Sequence, residues 1–245
     1  MSAAVRGQQV NLVPSVDSSF CLGMLPFLLS LIAGATDVIS FLGLDGLFTA
    51  HITGNLVILA AHIVSGGSAQ LGPMLSVPIF IIALSSACLL AAVLEAIGVA
   101  SLRPLLLLQF LLLLGFLVLC LGAGPPRSLL DANTAIAIVA GMLGVSAMAV
   151  QNGMVHISLK GAPATAVMTT NISIVTIDVV SMLIAQDPND VAKARSRARH
   201  TWPAVVGFAL GCTLGAFCEM LIGLRSLALP AGLAFVALAL ARVTR

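Results

Sequence analysis

The feature that most constrains this chain is a succession of apolar blocks, each close to the roughly 20 residues that a helix needs to cross a bilayer's hydrocarbon. Read between Gly, Pro and charged residues, they run Phe20–Phe41, Gly46–Val64, Val77–Ala100, Pro104–Ala123, Asn133–Val155, Pro163–Ala185, Pro203–Leu224 and Ser226–Ala241. Lipid offers the backbone no hydrogen-bond partners, so each block must satisfy its amides internally, which predicts helices and not strands. The expected fold class is therefore all-α, a polytopic integral membrane helical bundle. Composition agrees, with 60% hydrophobic and 8% charged residues, against roughly a quarter charged in soluble domains.

The same numbers exclude several classes. A net charge of +2 is too small for a nucleic-acid partner. Cys21, Cys88, Cys120, Cys212 and Cys218 lie in or beside apolar blocks without CxxC spacing, which reads as small buried hydrophobes. The block from Phe20 runs past Ser40 without a small-residue cleavage site, which argues against a secretory signal. No metal-ligand spacing, Walker, Rossmann or hydrolase motif stands in a usable context, so no metal, no cofactor and no enzymatic activity are expected.

The chain also repeats itself. Gly34-Ala35-Thr36-Asp37 is followed by Thr53-Gly54-Asn55, and Gln151-Asn152 by Thr169-Thr170-Asn171. His62 and Asp178 each stand seven residues after the motif Asn, and Leu94-Glu95-Ala96-Ile97-Gly98 resembles Cys218-Glu219-Met220-Leu221-Ile222-Gly223. Matching punctuation in order predicts two membrane repeats, 20–123 and 133–242, behind an N-terminal segment 1–19, in one membrane domain. Two topologies fit: eight spans, or six full spans plus two interrupted helices. Eight spans place eight Lys and Arg inside against three outside; six place nine against two. Both satisfy the positive-inside rule. The loop Ser65–Ser76 has no charge, whereas its counterpart Gln186–His200 holds Lys193, Arg195, Arg197 and Arg199, which favours repeats of opposite orientation. Both termini and the loop 186–202 are expected in the cytoplasm, with the basic stretch near anionic headgroups.

The polar residues inside apolar blocks are the functional candidates. Thr-Gly-Asn combines a helix-weakening Gly with two hydrogen-bonding side chains, a pattern that opens backbone groups to a solute or glues helices together. A carboxylate such as Asp37 costs about 2.5–3.5 kcal/mol at the bilayer centre, so it needs a partner, a polar cavity or the interface. Asp37, Thr53, Gly54, Asn55, Gln151, Asn152, Thr169, Thr170 and Asn171 are the candidates for a solute site between the halves. His62, Asp178, Glu95 and Glu219 are candidates for proton coupling, the two Glu also for pairing with Arg103 and Arg225. His51 lacks companions for a metal site.

The runs Gly34–Phe41, Phe48–Leu56, Ala147–Asn152 and Thr169–Asn171 resemble the YoaK-like family of bacterial integral membrane proteins, a domain of unknown function (1275), across about Phe20 to Arg242. That resemblance implies a multi-span protein of the bacterial inner membrane and no substrate, reaction or cofactor. Thr170 stands where the family usually has Gly, which weakens a break in the second helix. The expected function is a permease for a small solute or ion, with the lipid bilayer as partner and a homo-oligomer as one possible assembly. A non-transporting scaffold and an intramembrane enzyme acting on lipid, the latter through Asp37 and His51, are the competing readings.

Overall fold

The computed structural model describes residues 16–65, 71–122 and 132–243; most of the expected N-terminal segment, with Arg6, and Arg127 in the central link lie outside them. The described residues form eight helices: α1 (Val16–Gly43), α2 (Ile52–Val64), α3 (Leu71–Ala96), α4 (Leu102–Gly122), α5 (Ala132–Ser158), α6 (Met168–Ile184), α7 (Pro188–Ile222) and α8 (Ala228–Val243). A 3-10 turn, Gly223–Leu227, joins the last two. Five helical stretches are long and apolar enough to cross a membrane, and the last of them, 188–241, contains both α7 and α8.

Three expected boundaries move for local reasons. α2 and α6 begin at Ile52 and Met168, not at Gly46 and Pro163, because residues 48–51 and 164–165 give polar groups to side chains described below. α7 begins at Pro188 and not at Pro203: the Asp187 side chain accepts from Asn189 N at 2.8 Å and Pro188 takes the first helical turn. The basic stretch expected as a loop is therefore the first turns of α7, and only residues 185–187 are non-helical between α6 and α7.

The repeated Glu-…-Gly pattern is a helix stop. α3 and α7 both end where a glycine takes positive φ, Gly98 at 75° and Gly223 at 61°, and the amide of each bonds back to the preceding glutamate's carbonyl, Glu95 or Glu219.

Helix directions decide the topology. Gly207 abuts Phe27, Gly211 abuts Leu31 and Gly215 abuts Ala35 and Val38, so α1 and α7 run parallel. Gln151 Nε2 donates to the Leu29 carbonyl at 3.0 Å while Gly141 abuts Leu44 and Leu47, so α1 and α5 run antiparallel. Arg103 Nε donates to the Ala241 carbonyl at 2.7 Å, and Phe110 faces Phe235 with ring centroids 5.7 Å apart, so α4 and α8 are antiparallel too. Eight spans would make both of the latter pairs parallel. The bundle instead has six crossings, α1, α3, α4, α5, α7 and α8, with α2 and α6 as re-entrant helices. The link from Ser65 to Leu71 reaches at most about 20 Å, so α2 returns to the face it left.

Helix neighbours obey the same symmetry. α1 packs on α7 and α5 on α3; α8 packs on α1 and α4 on α5; α2 packs on α3 and α6 on α7; α4 and α8 meet each other. Exchanging the halves reproduces this set, and with opposed directions it describes an inverted repeat about an axis in the membrane plane. The core lies where α1, α4, α5 and α8 meet, around Leu25, Leu29, Leu105, Leu106, Met148 and Met154. α1 and α7 approach closely because a β-carbon at Gly207, Gly211 or Gly215 would strike the backbone of α1, the small-residue solution to helix packing in lipid.

Candidate functional site: a cleft beside the first re-entrant hairpin

After α1 ends at Gly43, Asp45 and Gly46 take positive φ, 49° and 80°, and turn the chain back into the bundle. Residues 47–51 descend to the level of Asp37, six residues or about 9 Å below the helix end. There Asp37 Oδ1 accepts the amides of Thr49 and Ala50, both at 2.8 Å, with the Thr49 hydroxyl and the His51 amide at 3.4 Å. These donors precede the first turn of α2 and have no helical acceptor, so the carboxylate completes a nest of amides at a helix N-terminus. Asp37 Oδ2 takes His51 Nδ1 at 2.6 Å. Asp37 and Thr49 are buried; the His51 side chain is 36% exposed and faces open space.

Asn55 closes the hairpin from the other side. Its Oδ1 accepts from Phe48 N at 2.9 Å, and its Nδ2 donates to the Phe48 carbonyl at 2.7 Å and to Ser76 Oγ at 2.8 Å. The second half repeats this with Asn171 Nδ2 on the Ala164 carbonyl at 2.6 Å, again seven residues back. Gln151 stands in for Asp37: its Nε2 donates to Thr165 Oγ1 at 2.9 Å and its Oε1 accepts from Gln109 at 2.7 Å. Gly54 and Thr170 also correspond. The Phe48 ring lies where a β-carbon on Gly54 would go, 2.9 Å away; in the second half Ala164 replaces the ring, and position 170 has room for threonine. The departure at Thr170 is thus compensated at 164, and the second hairpin is as re-entrant as the first.

Between α1, α2 and α7 lies an open cleft of about 570 Å³. Asp37, His51 and Thr53 form its polar edge, and Phe41, Phe48, Val57 and Phe208 its walls. Phe41 and Phe48 stack with centroids 4.6 Å apart, and His51 sits edge-on to Phe208 at 5.5 Å.

The structure brings together only some of the predicted residues. Asp37, Thr53 and Gly54 line the cleft; Asn55, Gln151 and Asn171 are buried with their amides given to the hairpins; Asn152 is half-buried; Thr169 and Thr170 are exposed at the start of α6. His62 is half-buried near the end of α2. Asp178 is buried and accepts Arg197 Nη2 at 2.6 Å and Nε at 3.1 Å on one oxygen, which ties α6 to α7. The expected pairings of the glutamates do not form: Glu95 accepts from Ser101 Oγ at 3.0 Å, Arg103 is turned to Ala241, and Glu219 has no ion pair among the described residues. No cluster of three metal-binding side chains occurs among the described residues. Sequence reasoning placed His51 outside the solute-site candidates, and passed over Thr49, Ser76, Gln109 and Thr165. His51 was findable from its place two residues before Thr53; the others are set by contacts across the bundle.

Comparison with curated proteins and with solved structures gives no match. The sequence profile of the family described as "protein of unknown function (DUF1275)" matches residues 25–240, from the middle of α1 to the last turn of α8. The match covers all six crossings and both hairpins, and the chain belongs to the DUF1275 family.

Proposed function

We propose that this chain is a permease that carries a small solute through the membrane, with the Asp37–His51 cleft as its binding site. The supporting observation is a difference between the halves. Gln151 pins the second hairpin without a charge, so pinning alone does not require a carboxylate that costs about 2.5–3.5 kcal/mol at depth. The first half nonetheless places a carboxylate and an imidazole there, on an open cleft. Inverted repeats with discontinuous helices at mid-depth suit alternating access, in which one set of helices rocks against the other around a site.

Side assignment follows from charge. Arg103, Lys160, Lys193, Arg195, Arg197 and Arg199 fall on the face where α1 begins, and Arg225 on the opposite one. By the positive-inside rule the first face is the cytoplasmic one, so the first hairpin enters from outside; that the membrane is a bacterial inner membrane is what the resemblance to the family implies.

The scaffold reading draws on Asn55 and Asn171, whose buried amides act as glue within the hairpins. It accounts for the motif and leaves the charged cleft unexplained. The test is Thr53→Cys in a chain whose five cysteines are replaced, probed with an impermeant thiol reagent in right-side-out and inside-out vesicles. A permease exposes position 53 to water from at least one side, at a rate that His51→Gln or Asp37→Asn alters. A position 53 that never reacts from either side, while an Asp45→Cys control does, removes the permease reading and leaves the scaffold.

A further inference from the structure

We propose that the cleft takes a small organic acid, an anionic carboxylate on an apolar body, with His51 Nε2 as its hydrogen-bond donor; that it is cargo rests on the permease reading, whereas its binding is argued from the cleft alone. Asp37 has little left to offer a ligand. Oδ1 already holds two amides at 2.8 Å and Oδ2 holds the imidazole at 2.6 Å. A bare cation entering the cleft meets no free carboxylate and no further acidic side chain, and the described residues contain no ligand cluster for a metal.

The imidazole is the group with capacity to spare. A carboxylate only accepts, so Nδ1 carries a proton toward Asp37, and Nε2 has no partner among the described residues. In the neutral ring Nε2 is an acceptor that repels an anion. Once a proton binds there, Nε2–H becomes a charge-assisted donor and the Asp37–His51 pair is formally neutral. Binding to the neutral ring therefore takes up one proton for each anion: Asp37 carboxylate, neutral His51, H⁺ and RCOO⁻ give Asp37 carboxylate, imidazolium and RCOO⁻; a ring already protonated binds the anion with no uptake. The total charge of site plus bound species is unchanged by adding the two together. The titratable groups facing His51 are Asp37 from α1 and Cys212 from α7; α2 supplies Thr53, Gly54 and Val57, none of which titrates in this range.

The rest of the cleft selects the body of the acid. The stacked Phe41 and Phe48, with Phe208, Val38 and Val57, make walls that hydrate poorly, and a volume of about 570 Å³ lies within the roughly 300–1,000 Å³ usual for small-molecule sites. Acetate fills little of it; an aromatic or branched acid covers the rings. The same chemistry has two sources, an acid dissolved in water or a fatty acid from the bilayer, since the cleft is open at its side.

The experiment is calorimetric titration of purified protein in detergent with benzoate, acetate and rubidium chloride, in two buffers of different ionisation enthalpy. Benzoate should bind more tightly than acetate, with uptake of a proton at pH values where the free ring is neutral and none where it is already protonated. His51→Gln should weaken benzoate at least about tenfold and abolish the uptake, as for loss of a hydrogen bond to a charged group, and Phe208→Ala should weaken benzoate more than acetate. Mass spectrometry of the purified protein separates the sources: a co-purifying fatty acid that benzoate displaces points to the bilayer, and its absence beside benzoate binding points to water. Rubidium binding lost in Asp37→Asn with no acid binding, or benzoate binding unchanged in His51→Gln, overturns the proposal. Flux of benzenesulfonate, which does not leak as a neutral acid, is then measured in proteoliposomes. Benzoate binding without flux removes the permease and keeps the anion site, whereas rubidium flux without acid binding keeps the permease and removes the anion site.

Discussion

Asp37 both pins a hairpin and holds a charge, and two substitutions separate the roles. In Asp37→Ala the amides of Thr49 and Ala50, which are buried and held at 2.8 Å, lose their acceptor. Each stranded buried donor costs about 1–3 kcal/mol, or about 2–6 kcal/mol for the two, partly offset by the about 2.5–3.5 kcal/mol of carboxylate burial that the substitution recovers. Asp37→Asn keeps a neutral oxygen for both amides. It recovers the same burial cost and gives up only about 1 kcal/mol per bond for the lost charge, about 2 kcal/mol for the two amides, so it should be more stable than Asp37→Ala by up to about 4 kcal/mol. The assay is unfolding in mixed micelles together with hydrogen exchange at Thr49 and Ala50. Equal stability and equal protection in the two variants would refute the reasoning, because the charge and not the acceptor geometry would then be what holds the hairpin.

Phe48 and Gly54 form a natural double-mutant cycle. Gly54→Thr alone should cost about 1–3 kcal/mol by overpacking against the Phe48 ring, and adding Phe48→Ala, the combination found at 164 and 170, should recover at least about 1 kcal/mol in the same unfolding assay. Gly211→Val drives a side chain into the backbone of α1 at Leu31 and Ala35 and should prevent a stable fold, whereas Gly232→Val, which meets nothing within 4 Å, should lie within about 0.5 kcal/mol of the parent; thermal scans in detergent compare them. Arg195, Arg199 and Trp202 are exposed on one stripe of α7, continued by Val206 and Leu210, the order of charge, aromatic and apolar residues expected through a membrane interface. Removing Arg195 and Arg199 should weaken binding of anionic lipid by about 2 kcal/mol, or about 1 per charge, and native mass spectrometry with phosphatidylglycerol reads the loss.

The crossings were legible in the sequence because lipid leaves an apolar block little choice but helix. The repeated punctuation has mechanical causes: Gly98 and Gly223 each end a helix with positive φ, and Asn55 and Asn171 each clasp a carbonyl seven residues back. The breaks were misplaced by about six residues, since Leu47, Phe48 and Ala50 are as apolar as a helix interior. What unwinds them is a carboxylate on α1, a contact that no local pattern contains. The basic stretch looked like a loop because charge at a membrane edge is ambiguous between loop and helix; Asp187 and Pro188 carried the capping signal. The Asn motif read as solute chemistry, and burial turned it toward structure, while the histidine beside it gained interest only when the hairpin brought it to Asp37.

The differences between the halves point one way. Where the first has Asp37, His51 and a cleft, the second has Gln151, Val167 and a buried amide network reaching Gln109. Where the first leaves His62 half-buried at the end of α2, the second sets Asp178 and closes it on Arg197. Asn55 and Ser76 hold α2 to α3 near its start, and no ion pair holds its end among the described residues, whereas α6 is fastened to α7 by Arg197 near the start of α7. Such a latch raises the energy of moving the second hairpin without adding ligand chemistry to it. A duplication that needs two hairpins to satisfy a symmetric bundle needs only one binding site, and the second copy is then free to exchange charge for neutral hydrogen bonds and mobility for an ion pair. If the chain works as the proposed permease, the first hairpin would move against a body that includes the second, and the solute would ride on the half that carries the carboxylate and imidazole.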